Sequence, residues 1–209
     1  MKISKLFENR FFPVSSVSIL HKGMEIIRSA WAPKNGNAVM ALVVRRNAAG
    51  EFVAVCLREP LQAGRSLWAD QQVGALTFPK GLANPGERPS DAIRREIAEE
   101  LGLEVLQILQ PNIPALWGLP GFAAHRTTLF VVLVGDELSQ APEGDDDELL
   151  EVVEIPLEQL LSQPEREVDG DARHIAAATL PRALKCLVAV GVPKSLIHRV
   201  LWRRYGDLL

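Results

Sequence analysis

The stretch Gly81–Leu103, GLANPGERPSDAIRREIAEELGL, decides how the chain is read. Placed on a helix at about 100° per residue, Ile93, Ile97 and Leu101 fall on one side, while Glu96, Glu99 and Glu100 share a separate sector about 100° wide. One face is anchored and the other carries three carboxylates. Like charges that close repel one another unless a cation sits among them, and Arg95, one turn before Glu99, can neutralise only part of that charge. A divalent metal is the expected partner. For these three acids taken alone, a solvated helix face is the simpler explanation, since surface helices often carry such spacings.

The flanking residues each have a physical task. Gly81 and Gly86 suit a tight loop whose backbone carbonyls approach a cation, and Pro85 stiffens it. Pro89 fits the first helical turn, and Ser90 and Asp91 place an acceptor and a negative charge where unpaired amides point outward. Gly102 ends the helix. Arg88 is a poor residue for the N-cap, so other contacts must hold this loop.

The full string is more specific than its acids. It runs Gly81, five residues, Glu87, seven residues, Arg95, Glu96, Ile97, any residue, Glu99, Glu100, any residue, Gly102, Leu103. Seven fixed identities at roughly 7% each, with two apolar positions, should arise by chance in about one chain in a million or fewer. The string resembles the signature of the Nudix hydrolases at every diagnostic position.

Composition sets the outer bounds. The chain has 209 residues, 23% of them charged, and a net charge of -3, which gives no basic footprint for nucleic acid. That length suits one domain with an extension and a substantial core. Cys56 and Cys186 both lie in apolar runs, as expected of buried reduced thiols. No apolar stretch is long enough for a signal or a membrane span, so a cytoplasmic protein with no membrane partner is expected.

Residues 1–36 read as an N-terminal β extension, with strand-like Val14–Leu20 and Met24–Trp31 joined by a His21-Lys22-Gly23 turn. Residues 37–209 form the main domain. Ala38–Arg45 and Phe52–Arg58 are apolar, β-branched runs joined by Asn47-Ala48-Ala49-Gly50, as central strands of a mixed sheet should be. Arg58 closes the second of these and is a candidate phosphate ligand, a surface cap being the alternative. The long segment 59–72 carries Trp68, a candidate lid or base-stacking residue, and Leu76–Pro79 leads to Lys80, a candidate counter-charge for a diphosphate. Beyond the helix, Val105–Leu109, Ile113–Trp117, Thr127–Val134 and Leu149–Ile155 read as strands. A helix over about 172–190 should be kinked or divided by Pro181, and Ser195–Tyr205 closes the chain with a solvated basic face.

This interleaving by itself supports an α/β class. The resemblance implies more: a Nudix-type α/β/α sandwich with a mixed β-sheet, preceded by an N-terminal β-hairpin extension. It further implies a hydrolase cleaving a nucleoside diphosphate linked to another moiety, with Mg²⁺ as cofactor and Mn²⁺ as a substitute. By match to the motif, Glu96, Glu99 and Glu100 are metal ligands with the Gly81 carbonyl as a further one, while Glu87, Arg95 and Gly102 orient the helix and its acids. The wording FPKGLANPGE, LPGF and DDDELLEVVEIPL is similar to the branch acting on ADP-ribose, ADP-sugars, NADH and short diadenosine polyphosphates. In that branch the base often comes from a loop before the last strand, which points to Glu148 and Asp147, with the box glutamates Glu99 and Glu100 as alternatives. The extension of such relatives contributes to a homodimer. Hydrolysis of dinucleoside polyphosphates or free nucleotides, and ligand sensing without hydrolysis, are the competing accounts.

Overall fold

A computed structural model describes residues 2–8, 13–21, 24–31, 37–59, 75–113, 116–117, 126–138, 151–162 and 181–206. The first strands, β1 (Lys2–Glu8), β2 (Pro13–His21) and β3 (Met24–Trp31), form their own antiparallel sheet in the order β1-β2-β3. The expected hairpin is β2–β3, and a third strand at the start of the chain joins it. That strand was hidden because KISKLFE breaks the polar–apolar alternation at Ser4-Lys5 and Leu6-Phe7 and lacks the β-branched density of its neighbours.

The second sheet contains β4 (Asn37–Arg46), β5 (Phe52–Glu59), β6 (Ala75–Thr77), β7 (Lys80–Leu82), β8 (Leu103–Leu109), β9 (Leu116–Trp117), β10 (Arg126–Leu138) and β11 (Glu151–Pro156). Its main path is β11-β5-β4-β10-β8. Only β4 and β10 run parallel among these pairs, so the sheet is mixed. The helices are α1 (Pro89–Leu101), α2 (Leu157–Ser162), α3 (Pro181–Ala189) and α4 (Lys194–Tyr205).

Alternation along the strands divides the interior into two layers. Val39, Ala41 and Val43 of β4, with Val55 and Leu57 of β5, pack under Ala92, Ile93, Ile97 and Leu101 of α1. Met40, Leu42 and Val44, with Ala54 and Cys56, face Leu157, Leu160 and Leu161 of α2, Leu184 and Leu187 of α3, and Leu196, Ile197 and Val200 of α4. The sheet is therefore covered on both faces, which is why its central strands read as unbroken apolar runs. Ile93, Ile97 and Leu101 anchor α1 as the helical spacing predicts, each contributing roughly 1.5–3 kcal/mol by burial.

Strand 75–82 carries the chain from the central sheet into the loop before α1. Its first part pairs with β5 (Leu57 opposite Thr77, Arg58 opposite Leu76) and its second with β4 (Met40 opposite Lys80, Val39 opposite Gly81). The amide of Ala41 reaches the Pro79 carbonyl at 2.9 Å between the two parts. The segment is thus wedged between two central strands and delivers Gly81 to the α1 side of the sheet.

Pro181 opens α3, so the proline marks a helix start; residues 163–180 lie outside the described residues. Cys56 is buried and Cys186 half-buried, neither in a disulfide, and burial pushes the Cys186 thiol up. The basic face of α4 is not simply solvated. Arg199 and Arg203 both bind the Glu158 carboxylate, at 2.7 and 3.2 Å, and Arg204 donates to the Leu161 carbonyl at 3.2 Å, fastening α4 onto α2. The sequence pattern could not show this, because the acid lies 41 positions from Arg199.

Arg199 and Arg203 hold the Glu158 carboxyl below its ordinary value of 4.5, so this clasp stabilises the fold above that pH and is lost as pH falls through the lowered folded value. Glu158→Gln should cost about 0.5–1 kcal/mol at pH 7. Urea titrations at neutral and strongly acidic pH should show the wild-type advantage disappearing in acid.

Candidate active site

The site grows from how α1 begins and ends. Arg88 occupies the N-cap with extended backbone and no side-chain cap bond. The loop is held instead by Glu87, whose carboxylate accepts the Asn84 amide at 2.7 Å, and by the Arg88–Asp91 ion pair. Gly86 sits at φ 79 within the turn, and Gly102 ends the helix at φ 64, both in the left-handed region that favours glycine.

Arg95 is the electrostatic centre. Its guanidinium contacts Glu87 at 3.1 Å, Glu96 at 2.8 Å and Glu99 at 2.8 Å, and donates to the Leu82 carbonyl at 3.0 Å. One cation therefore bridges three of the four box acids, more than its spacing from Glu99 suggested. The same contacts hold the Glu87 carboxyl below the usual range, the Arg95 hydrogen bond being the main cause.

Glu96 behaves differently. Its side chain is only 12% exposed, and desolvation outweighs the attraction of Arg95, pushing its carboxyl up to about 7. It lies directly against Gly81: a Cβ built at position 81 would fall on the Glu96 carboxylate. Gly81 does not have a positive φ and stands in β7, so its glycine is needed for close approach and not for a tight turn. Glu100 is tied to the same strand, one of its oxygens accepting the Lys80 amide at 3.2 Å.

Among the described residues no three acidic, histidine or cysteine side chains are gathered closely enough to share one ion as they stand. The donor set nevertheless fits a hard divalent cation. It consists only of carboxylate and carbonyl oxygens, and the buried Glu96 carboxylate sits in a cradle left by a missing Cβ, where a cation would favour its ionised form.

Other expected residues lie elsewhere. Lys80 and Arg58 occupy the face of the sheet opposite Gly81: Lys80 stands beside Met40, and Arg58 follows Leu57, which faces α1. Neither is brought to the carboxylates of α1 by register. Trp68, Asp147 and Glu148 lie outside the described residues. A residue the sequence reading missed is Glu151, directly opposite Arg58 in the β5–β11 register, with its carboxylate 3.2 Å from the Arg58 Nε. Only strand register could reveal it, since the two are remote in the chain.

The family model for the NUDIX domain matches residues 35–178. The chain belongs to the Nudix family. It is a hydrolase of the Nudix pyrophosphatase class, and Nudix hydrolases generally use divalent metals. The chain is 25% identical over 183 residues to the ADP compounds hydrolase NudE of Escherichia coli K12, covering 87% of this chain and 90% of that protein. A crystal structure of an ADP compounds hydrolase shares the fold, with a TM-score of 0.68 at 24% identity over 92% of this chain and 95% of that one. An RNA pyrophosphohydrolase of Pseudomonas putida F1 is 51% identical over 43 residues, 20% of this chain and 27% of its own length. Among the described residues no helix of this Nudix hydrolase is long and apolar enough to cross a membrane.

Gly81→Ala should force the Glu96 carboxylate off β7 while leaving the core of α1 intact. A loss of roughly 10–100-fold in metal affinity or turnover is expected. Calorimetric titration of the metal, beside a melting curve close to wild type, checks it.

Proposed function

We propose that this Nudix hydrolase is a Mg²⁺-dependent diphosphatase that cleaves ADP-ribose or related ADP compounds to AMP and a phosphorylated product. The related compounds are ADP-sugars, NADH and short diadenosine polyphosphates. The observation carrying the reading is the Glu96 carboxylate seated on Gly81 beside a complete set of box acids. The substrate class is supported by a likeness to an ADP compounds hydrolase that runs along nearly the whole chain. The local RNA pyrophosphohydrolase match favours a second reading, a nucleotide or dinucleoside polyphosphate pyrophosphohydrolase.

In this mechanism Gly81, Glu96, Glu99 and Glu100 would hold the ion, for which Mn²⁺ would substitute. When bound, the ion would supply charge neutralisation at the diphosphate and acidify a water. Arg95 and Glu87 keep α1 in register with strand 75–82, so the carboxylates need not reorganise when substrate arrives. The Lys80 amide orients Glu100 by occupying one of its oxygens. Arg58 binds a phosphate oxygen, with Lys80 as a second cation on the same face and Trp68 against the base. Deprotonation of the attacking water is assigned to Glu148 or Asp147, with Glu99 or Glu100 as the alternative. The N-terminal extension serves as a dimerisation element of a cytoplasmic homodimer.

Purified protein should release AMP from ADP-ribose only with added Mg²⁺ or Mn²⁺; turnover that survives a chelator would remove the mechanism. Glu100→Gln should lower kcat by about a thousandfold or more with little change in melting temperature. A panel adding NADH, ADP-sugars, diadenosine polyphosphates, nucleoside triphosphates and 5′-triphosphorylated RNA, with products identified by mass, separates the two readings. Near-normal turnover in both Glu148→Gln and Asp147→Asn would return the base to α1.

A further inference from the structure

Trp202 of α4 is the most exposed large apolar side chain among the described residues, at 68%. Its indole is nevertheless seated. A Cβ built at Gly206 would come within 3.3 Å of the ring, so the ring lies against bare backbone at the end of the helix. A tryptophan already held in place loses little freedom when a partner covers it, which is the property of an interface anchor. A cavity of about 580 Å³ opens beside it, lined among the described residues by His198, Arg199, Leu201, Trp202 and Arg203.

This surface is separate from the box acids. Leu196, Ile197 and Val200 pack α4 into the layer on the sheet face opposite α1. Its charge is one-sided: α4 carries Lys194, Arg199, Arg203 and Arg204 and no acid. Glu158, which clasps Arg199 and Arg203, is 20% exposed, whereas the two arginines are 54% and 58% exposed. One carboxylate therefore neutralises two guanidiniums from beneath, and an excess of positive charge faces solvent.

An apolar anchor ringed by cations suits a partner that is acidic and also bears an apolar side chain. A second copy offering the same face would set these cations against their own kind. A nucleic acid or an anionic membrane draws on a broad field of cations, and this chain has a net charge of -3. We propose that the Trp202 face of α4 docks an acidic segment of another protein, with an apolar side chain of that segment in the cavity against the indole and its carboxylates on Arg199 and Arg203. Docking there leaves the box acids open to substrate, so the surface tethers the hydrolase to its partner. The proposal does not rest on the diphosphatase reading.

Fluorescence anisotropy tests it with a labelled glutamate peptide bearing a central leucine pair, its all-glutamate counterpart, an oligouridylate and phosphatidylserine vesicles. The leucine-bearing peptide should bind about tenfold or more tighter than the all-glutamate one. Trp202→Ala should weaken it about tenfold or more, and Gly206→Ala, which displaces the indole, about three- to tenfold. Both variants should melt near the wild-type temperature; Arg203→Gln, at the rim, is a further variant expected to weaken binding about threefold. No binding of the leucine-bearing peptide, or equal binding by Trp202→Ala, overturns the proposal. Tighter binding of the oligouridylate or the vesicles overturns it in favour of a polyanion. Self-association in sedimentation that Trp202→Ala abolishes overturns it in favour of a second copy.

Discussion

The candidate site of this molecule turns on a contact that exists only because a side chain is missing. Glu96 of α1 lies where residue 81 would carry a Cβ, so its carboxylate reaches β7 as it could with no other residue at 81. Ile93, Ile97 and Leu101 are buried beneath the same helix, and the contact leaves a carboxylate desolvated at the seam. A buried charge is costly, and here that cost is concentrated on Glu96, the group proposed to meet a cation.

Arg95 decides which acids remain available. It gathers Glu87, Glu96 and Glu99 around one guanidinium and holds the Leu82 carbonyl, linking loop, strand and helix at a single point. The planar fork of arginine suits this better than a point charge, since its nitrogens can be shared among several oxygens in one plane. Glu100, one turn beyond Glu96, is held by the Lys80 backbone instead. The acids thus sit in distinct environments although their spacing makes them look equivalent.

The wedge of strand 75–82 between β5 and β4 has a further effect on the site. It separates Gly81, on the α1 face, from Lys80, Arg58 and Glu151 on the other. A ligand contacting both groups would have to cross the end of the sheet. Adjacent residues in the chain, Lys80 and Gly81, therefore serve opposite sides of one layer, as the two-residue period of a strand requires.

Much was legible in the sequence because it rests on local rules. The helix at α1, its stop at Gly102 and the weakness of its N-cap follow from periodicity and backbone preference, which act over a few residues. The unbroken apolar runs of β4 and β5 announced strands covered on both faces. The box string was enough to reach the family. Register and burial were not legible, because they depend on residues far apart in the chain. Only the folded structure decided that Gly81 serves close approach, that burial singles out Glu96, that Arg58 faces Glu151, and that the basic residues of α4 clasp Glu158. Each of these is a distance between distant segments, set by the packing of two layers against one sheet.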